Sequence, residues 1–215
     1  VLMAKKMENN PEEEESLKEE SKEESTSNFI DFLVTDTEAG DNKILCVFRD
    51  IDEELAHAVV YNLFQSLEKT KTEEEEEIPP LKMIISTHGG SAHEMFSICD
   101  VMEIVKKERD IETIGLGKVM SAGVLLLASG TKGKRKIGRN CRVMIHPVAA
   151  ASIGDLVDIE NETKEIKHLQ KLYIKNLSEQ TNMTAKQIQK IISKKINVYF
   201  SAEEAVNLGI VDEII

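Results

Sequence analysis

The chain has 215 residues, of which 41% are hydrophobic and only 4% aromatic, with no tryptophan. This suffices for one α/β domain with a largely aliphatic core. A net charge of -12 repels phosphate backbones, so nucleic acid is not an expected partner. No apolar run approaches the ~20 residues that span a bilayer, and no basic-then-apolar secretory leader is present, so neither a membrane nor export is expected.

The acidity is uneven. Glutamates crowd residues 1–24 and recur as the run Glu73 to Glu77. Residues 1–28 are dominated by Glu, Ser and Lys, with almost nothing to bury, and are expected to form a disordered or weakly helical tail ahead of a single domain over 29–215. Order is expected to begin near Phe29 to Val34. Ile44 to Phe48 reads as an apolar strand, and Leu55, Val59, Leu63 and Leu67 recur every four residues as the buried face of a helix. An acidic loop from Thr70 ends at Pro79 and Pro80, which cannot continue a helix. Leu81 to Ser86 is a second strand, followed at once by His88-Gly89-Gly90 and a helix with Met95, Ile98, Met102 and Val105 on one face.

Ile111 to Leu116 makes a third strand, and the stretch Gly117 to Gly123 carries Ser121 into the wholly apolar helix Val124 to Ala128. Arg142 to His146 is a short strand closed by Pro147. A long helix follows from Asp155 to Glu179, with Ile159, Ile166, Leu169, Tyr173 and Leu177 on one stripe. Ser201 caps a last helix with Glu204 at the capping-box position, and Ile210-Val211 reads as a closing strand. Strand and helix alternate throughout, which predicts an α/β fold of parallel strands joined by helical crossovers. In such folds functional groups gather at strand C-terminal ends, and Gly90, Ser121 and His146 each lie just past one.

Cys46, Cys99 and Cys141 are odd in number, widely spaced and set among apolar residues, as buried reduced thiols are. They imply a reducing, cytoplasmic compartment, and no pair has metal-ligand spacing. Neither a metal nor a cofactor is expected.

Ser121 sits in a Gly-flanked turn between a strand and a helix, a position that exposes its hydroxyl but equally suits a helix cap. His146 at a strand end could be an ordinary half-buried histidine. Together they offer more, because a serine nucleophile needs a neighbouring base. Acyl transfer also needs two donors for the oxyanion, and the amides of Gly90 and Ala122 are placed to supply them.

From about Ile44 to Ile215 the chain resembles the proteolytic subunit of the ATP-dependent Clp protease, the ClpP family. Thr87-His88-Gly89-Gly90 stands for that family's Ser-Pro-Gly-Gly turn. Gly117 to Gly123 carries Ser121 in its Gly-x-x-x-Ser-Met-Gly, with Ala122 where Met is usual. Gly130-Thr131-Lys132-Gly133-Lys134-Arg135, the strand Val143 to His146, Asp158-Ile159-Glu160, and Ser201 to Asp212 match further motifs in order. The resemblance implies the ClpP/crotonase-like fold of repeated β-β-α units, with a long protruding handle helix over about 155–180. It implies a serine endopeptidase for unfolded polypeptides, assembled with itself as a heptameric ring or double heptamer and fed by a Clp-type ATPase. No P-loop is present, so ATP hydrolysis belongs to that partner.

The family's triad acid, an Asp, falls at Asn197, and the Arg before it falls at Ile196, after about two extra residues. Asn197 can hold the tautomer of His146 but cannot stabilise its imidazolium; in a Ser-His-Asp protease such an exchange costs about 10⁴ in turnover. The resemblance therefore also admits a weakly active or purely structural ring subunit, or a phage-type head-maturation peptidase. An acyl-CoA hydratase/isomerase of the crotonase fold is a further alternative with paired oxyanion amides.

Overall fold

A computed structural model of the chain describes residues 34–35, 44–68 and 78–215. The expected tail over 1–28 and the acidic run Glu73 to Glu77 lie outside the described residues. Fold begins with period. Leu81–Thr87 (β3) buries every second side chain, the pattern of a strand with one face on a core. Parallel to it run Ile44–Val47 (β2) on one side and Ile111–Met120 (β4) on the other. Short Val34–Thr35 (β1) closes the β2 edge antiparallel. Phe48, expected in β2, falls just outside it and is exposed.

The connections are the crossover helices that parallel strands require. Glu53–Glu68 (α1) links β2 to β3, and Leu55, Val59 and Leu63 face inward as their spacing predicts. Ala92–Val105 (α2) links β3 to β4 and buries Met95, Ile98, Met102 and Val105. Because the aliphatic face of α1 is spent inside the domain, its exposed apolar residues are instead Tyr61 and Phe64.

β4 differs most from its sequence reading. The strand does not stop at Leu116 but continues to Met120. Its first half pairs with Arg135–Ile137 (β5) and its second half with Arg142–Ile145 (β6). Gly117, at φ +64, lies where the partners change, a backbone state that glycine adopts at little cost. The sheet therefore forks. One branch runs through β5 to Glu213–Ile214 (β8), the other through β6 to Val198–Phe200 (β7), which is antiparallel. The closing strand forms two residues after Val211; Ile210 and Val211 are instead buried in the hydrophobic core.

Ala122–Ala128 (α3) is buried at every residue. Leu156–Gln180 (α4) begins at an Asp155 cap that accepts from the Asp158 amide. The expected apolar stripe along α4 divides in two: Leu169, Tyr173 and Leu177 are buried, while Ile159 and the leading Leu156 and Val157 are exposed. Only the second half packs on the domain, against α3 and Ala185–Ile192 (α5). Ala202–Asn207 (α6) has the full capping box of Ser201 and Glu204.

One ion pair, buried on its Arg135 side and open to solvent at Asp212, ties these pieces together. Arg135 donates from Nε and Nη2 to Asp212 at 2.9 and 2.5 Å. Its Nη1 reaches the carbonyls of Ala128 and Gln180, so the C-terminal ends of α3 and α4 are pinned to β5. Burial pushes the Asp212 carboxyl up, but bonds from Arg135 and from the Gly133 amide outweigh it and hold it below the usual value.

Candidate active site

Ser121 follows β4 directly and precedes α3. Its φ of 55° and ψ of -122° put a non-glycine residue in a costly region, a strain that only surrounding contacts sustain. Those contacts are present. The Ser121 amide donates to the Met144 carbonyl of β6 at 2.8 Å, and its carbonyl accepts from the Val124 amide at 3.0 Å. Although Ser121 stands at the cap position of α3, its side chain makes no capping hydrogen bond. Its Oγ lies 2.8 Å from Nε2 of His146. β6 pairs with β4 through Met120 and Met144, which brings both strand ends to the same edge and closes that distance.

Burial lowers the pKa of His146, because the charged imidazolium loses hydration. A neutral ring with its proton on Nδ1 leaves Nε2 free to accept from Ser121. Among the described residues Nδ1 has no hydrogen-bond partner. Asn197 lies one step beyond the last paired residues of β6 and β7, Ile145 and Val198. Continued register would set it opposite His146, yet it is exposed and makes no hydrogen bond among the described residues. The structure thus joins Ser121 and His146 by a hydrogen bond, and among the described residues shows none from the Asn197 side chain to either.

The His88-Gly89-Gly90 turn packs directly on the nucleophile. A Cβ on Gly89 would stand 2.6 Å from Ser121 Cβ, and one on Gly90 2.2 Å from the Ile51 carbonyl oxygen. Thr87 braces the turn, receiving the Gly89 amide on Oγ1 at 3.0 Å and donating to the Arg49 carbonyl. The bridge to Ile51 uses the Gly89 carbonyl and the Ser91 amide. The Gly90 amide is therefore left without a partner among the described residues. So is the amide of Ala122, which opens α3 and has no carbonyl behind it in the helix. A cleft of about 450 Å³ is lined by Gly90, Ser121, Ala122 and His146, with Ile166 and Leu169 from α4.

One member of this cleft escaped the sequence reading. Tyr173, counted there only in an apolar stripe, is buried and donates its hydroxyl to the Ser121 carbonyl at 3.1 Å. The available signal was a lone phenol among Ile and Leu positions, since a buried tyrosine hydroxyl needs a partner. Neither Cys99 nor Cys141 competes as a nucleophile, because burial pushes their thiols up to about 12 and about 11. Among the described residues no cluster of His, Cys, Asp or Glu could hold a metal, and no helix is long and apolar enough to cross a membrane.

Residues 31–215 match the protein family described as Clp protease. The chain is 32% identical over 180 residues to the ATP-dependent Clp protease proteolytic subunit 2 of Prochlorococcus marinus, covering 83% of this chain and 85% of that one. It is 37% identical over 135 residues to the corresponding subunit 2 of Corynebacterium jeikeium, covering 62% and 63%. Among solved structures it is similar to the ClpP protease catalytic domain from Plasmodium falciparum, at a TM-score of 0.65 and 34% identity over 80% of this chain and 84% of that one.

Proposed function

The chain belongs to the Clp protease family, and we propose that it hydrolyses peptide bonds with Ser121 as nucleophile and His146 as base and then acid. The observation that carries this reading is the 2.8 Å contact between Oγ and Nε2, beside two unpartnered amides. As Oγ bonds to the scissile carbonyl carbon, its proton passes to Nε2. The carbonyl oxygen becomes an oxyanion that the Gly90 and Ala122 amides receive. Collapse breaks the C–N bond, and the proton on Nε2 goes to the leaving amine. Water then repeats the sequence on the acyl-serine: its proton passes to Nε2, its oxygen takes the acyl group, and Oγ recovers a proton from His146.

Asn197 is the third member in this scheme, an amide in the acid's place that orients His146 without stabilising its charge, and the resulting activity is low. The β6–β7 register, which one step beyond Ile145 and Val198 would set Asn197 opposite His146, supports that part of the reading. In the proposed assembly the subunits form a seven-membered ring, single or stacked, in the cytoplasm. A Clp-type ATPase threads unfolded chains to the cleft, and the exposed half of α4 is free to meet another subunit. The acidic segment over 1–28 lies outside the peptidase domain, so its removal leaves thermal stability unchanged.

Labelling with a serine-reactive phosphonate, followed by mass-spectrometric localisation, tests the chemistry. An adduct on Ser121, absent in Ser121→Ala, is the expected result. Peptide hydrolysis that persists undiminished in Ser121→Ala refutes the assignment.

A further inference from the structure

The peptide group between Ser121 and Ala122 has two ends with different tasks. Its N–H is the Ala122 amide, which in the proposed mechanism receives the oxyanion. Its C=O is the Ser121 carbonyl, which accepts from the Val124 amide at 3.0 Å and from the Tyr173 hydroxyl at 3.1 Å. In a trans peptide the two ends point in opposite directions along one rigid plane. Whatever fixes the carbonyl therefore aims the amide.

We propose that Tyr173 is a positioning residue for the oxyanion site: its hydroxyl holds and polarises the Ser121–Ala122 peptide so that the Ala122 N–H points into the cleft as a stronger donor. This rests on the catalytic reading of Ser121 given above.

Three observations support it. First, the Ser121 carbonyl is already satisfied by Val124, so the phenol is not required to avoid an orphaned acceptor. A phenylalanine would fill the same place without a polar atom to bury. Second, Ser121 holds a strained φ of 55°, and its amide is anchored separately to Met144 of β6. The carbonyl side of the turn is where a second anchor is needed, and α4 supplies it. Third, Tyr173 is among the few residues of α4 that are buried, and burial raises its pKa, so the hydroxyl stays protonated and can only donate to that carbonyl. A hydrogen bond to a carbonyl draws charge from its amide nitrogen and strengthens the N–H on the far side, by about 10–30% per bond. Loss of a whole oxyanion donor costs about 10²–10³ in turnover. Weakening and loosening one donor should cost far less, roughly threefold to tenfold.

The test compares the parent with Tyr173→Phe in the full chain, using a peptide substrate and a peptide boronate, which forms a tetrahedral adduct on serine. Tyr173→Phe is expected to lower kcat about threefold to tenfold, with KM unchanged. Boronate affinity should fall by the same factor, while assembly and Tm match the parent. Placing a fluorinated tyrosine at 173 restores the hydroxyl with a more acidic proton, and kcat should then equal or exceed the parental value. Should the parent form no boronate adduct on Ser121, both the catalytic reading and the role of Tyr173 fall. Should the parent form it and Tyr173→Phe bind boronate as tightly with the same kcat, only the role of Tyr173 falls. The fluorinated protein keeps the ring and its packing, so it decides the matter even if the phenylalanine variant folds poorly: a kcat below the parental value overturns the proposal.

Discussion

Gly89→Ala is the substitution whose consequences follow most directly from the geometry. The added methyl would lie 2.6 Å from Ser121 Cβ and 2.9 Å from the Met120 carbonyl oxygen. Carbon atoms in ordinary contact stand about 3.5–4.0 Å apart, so the turn and the nucleophile must separate by about 1 Å. Gly89 also has a φ of +108°, and holding an L-residue there costs about 1–3 kcal/mol. Crowding a packed site adds about 1–3 kcal/mol. In a domain of this size each kcal/mol lowers Tm by about 2–4 °C, so a cost near the middle of that range means a fall of roughly 8–16 °C. The effect on chemistry should be larger in proportion, because a misplacement of about 1 Å costs on the order of 10² in rate. Calorimetry and the steady-state cleavage of a fluorogenic peptide measure the two effects on the same preparation. Gly133→Ala serves as the control: its φ is +85°, yet a Cβ there meets nothing within 4 Å. It should lose about 1 kcal/mol of stability and keep its kcat. Parental kcat in a folded Gly89→Ala protein would refute the argument that this turn is seated on the nucleophile.

Asn197→Asp should raise peptide turnover about fivefold or more, because a carboxylate near His146 stabilises the imidazolium that an amide cannot. The gain should vanish in a Ser121→Ala background, and an unchanged rate in an assembled Asp variant would remove Asn197 from the site. The lowered pKa of His146 fixes a sign: the ring must be neutral to accept the serine proton, so kcat/KM should rise with pH through a midpoint below 6.5, as a pH–rate profile will show. Asp212→Asn leaves the nearly enclosed Arg135 charge unpaired and should cost about 3 kcal/mol, measured by denaturant titration. Because the folded carboxyl titrates below its unfolded value, its stabilisation is present above about pH 4 and is lost as pH falls through the folded pKa. The variant should therefore show a flatter acid limb than the parent.

Much of this protein is written locally. The four-residue recurrence of Leu55, Val59 and Leu63, the capping box from Ser201 to Glu204, and the Gly-flanked Ser121 each state their structure within a few neighbours. The pairing of Ser121 with His146 was legible too, since both close a strand and a serine nucleophile needs a base. Pairing between distant strands is different in kind. That β4 runs on to Met120 depends on β6 arriving beside it, and nothing in Gly117-Lys118-Val119-Met120 alone distinguishes that from a turn. The closing strand was misplaced for the same reason. Ile210 and Val211 have the composition of a strand, but β5 offers its ladder to Glu213 and Ile214. The tertiary structure alone decided that Arg135 spans to Asp212 and that the Ser121 hydroxyl turns from capping α3 toward His146. It also decided that Tyr173, 52 residues along the chain, reaches the nucleophile's own carbonyl. A side chain's type fixes what bonds it can make; which partner it finds depends on where the packing of helix on sheet delivers it.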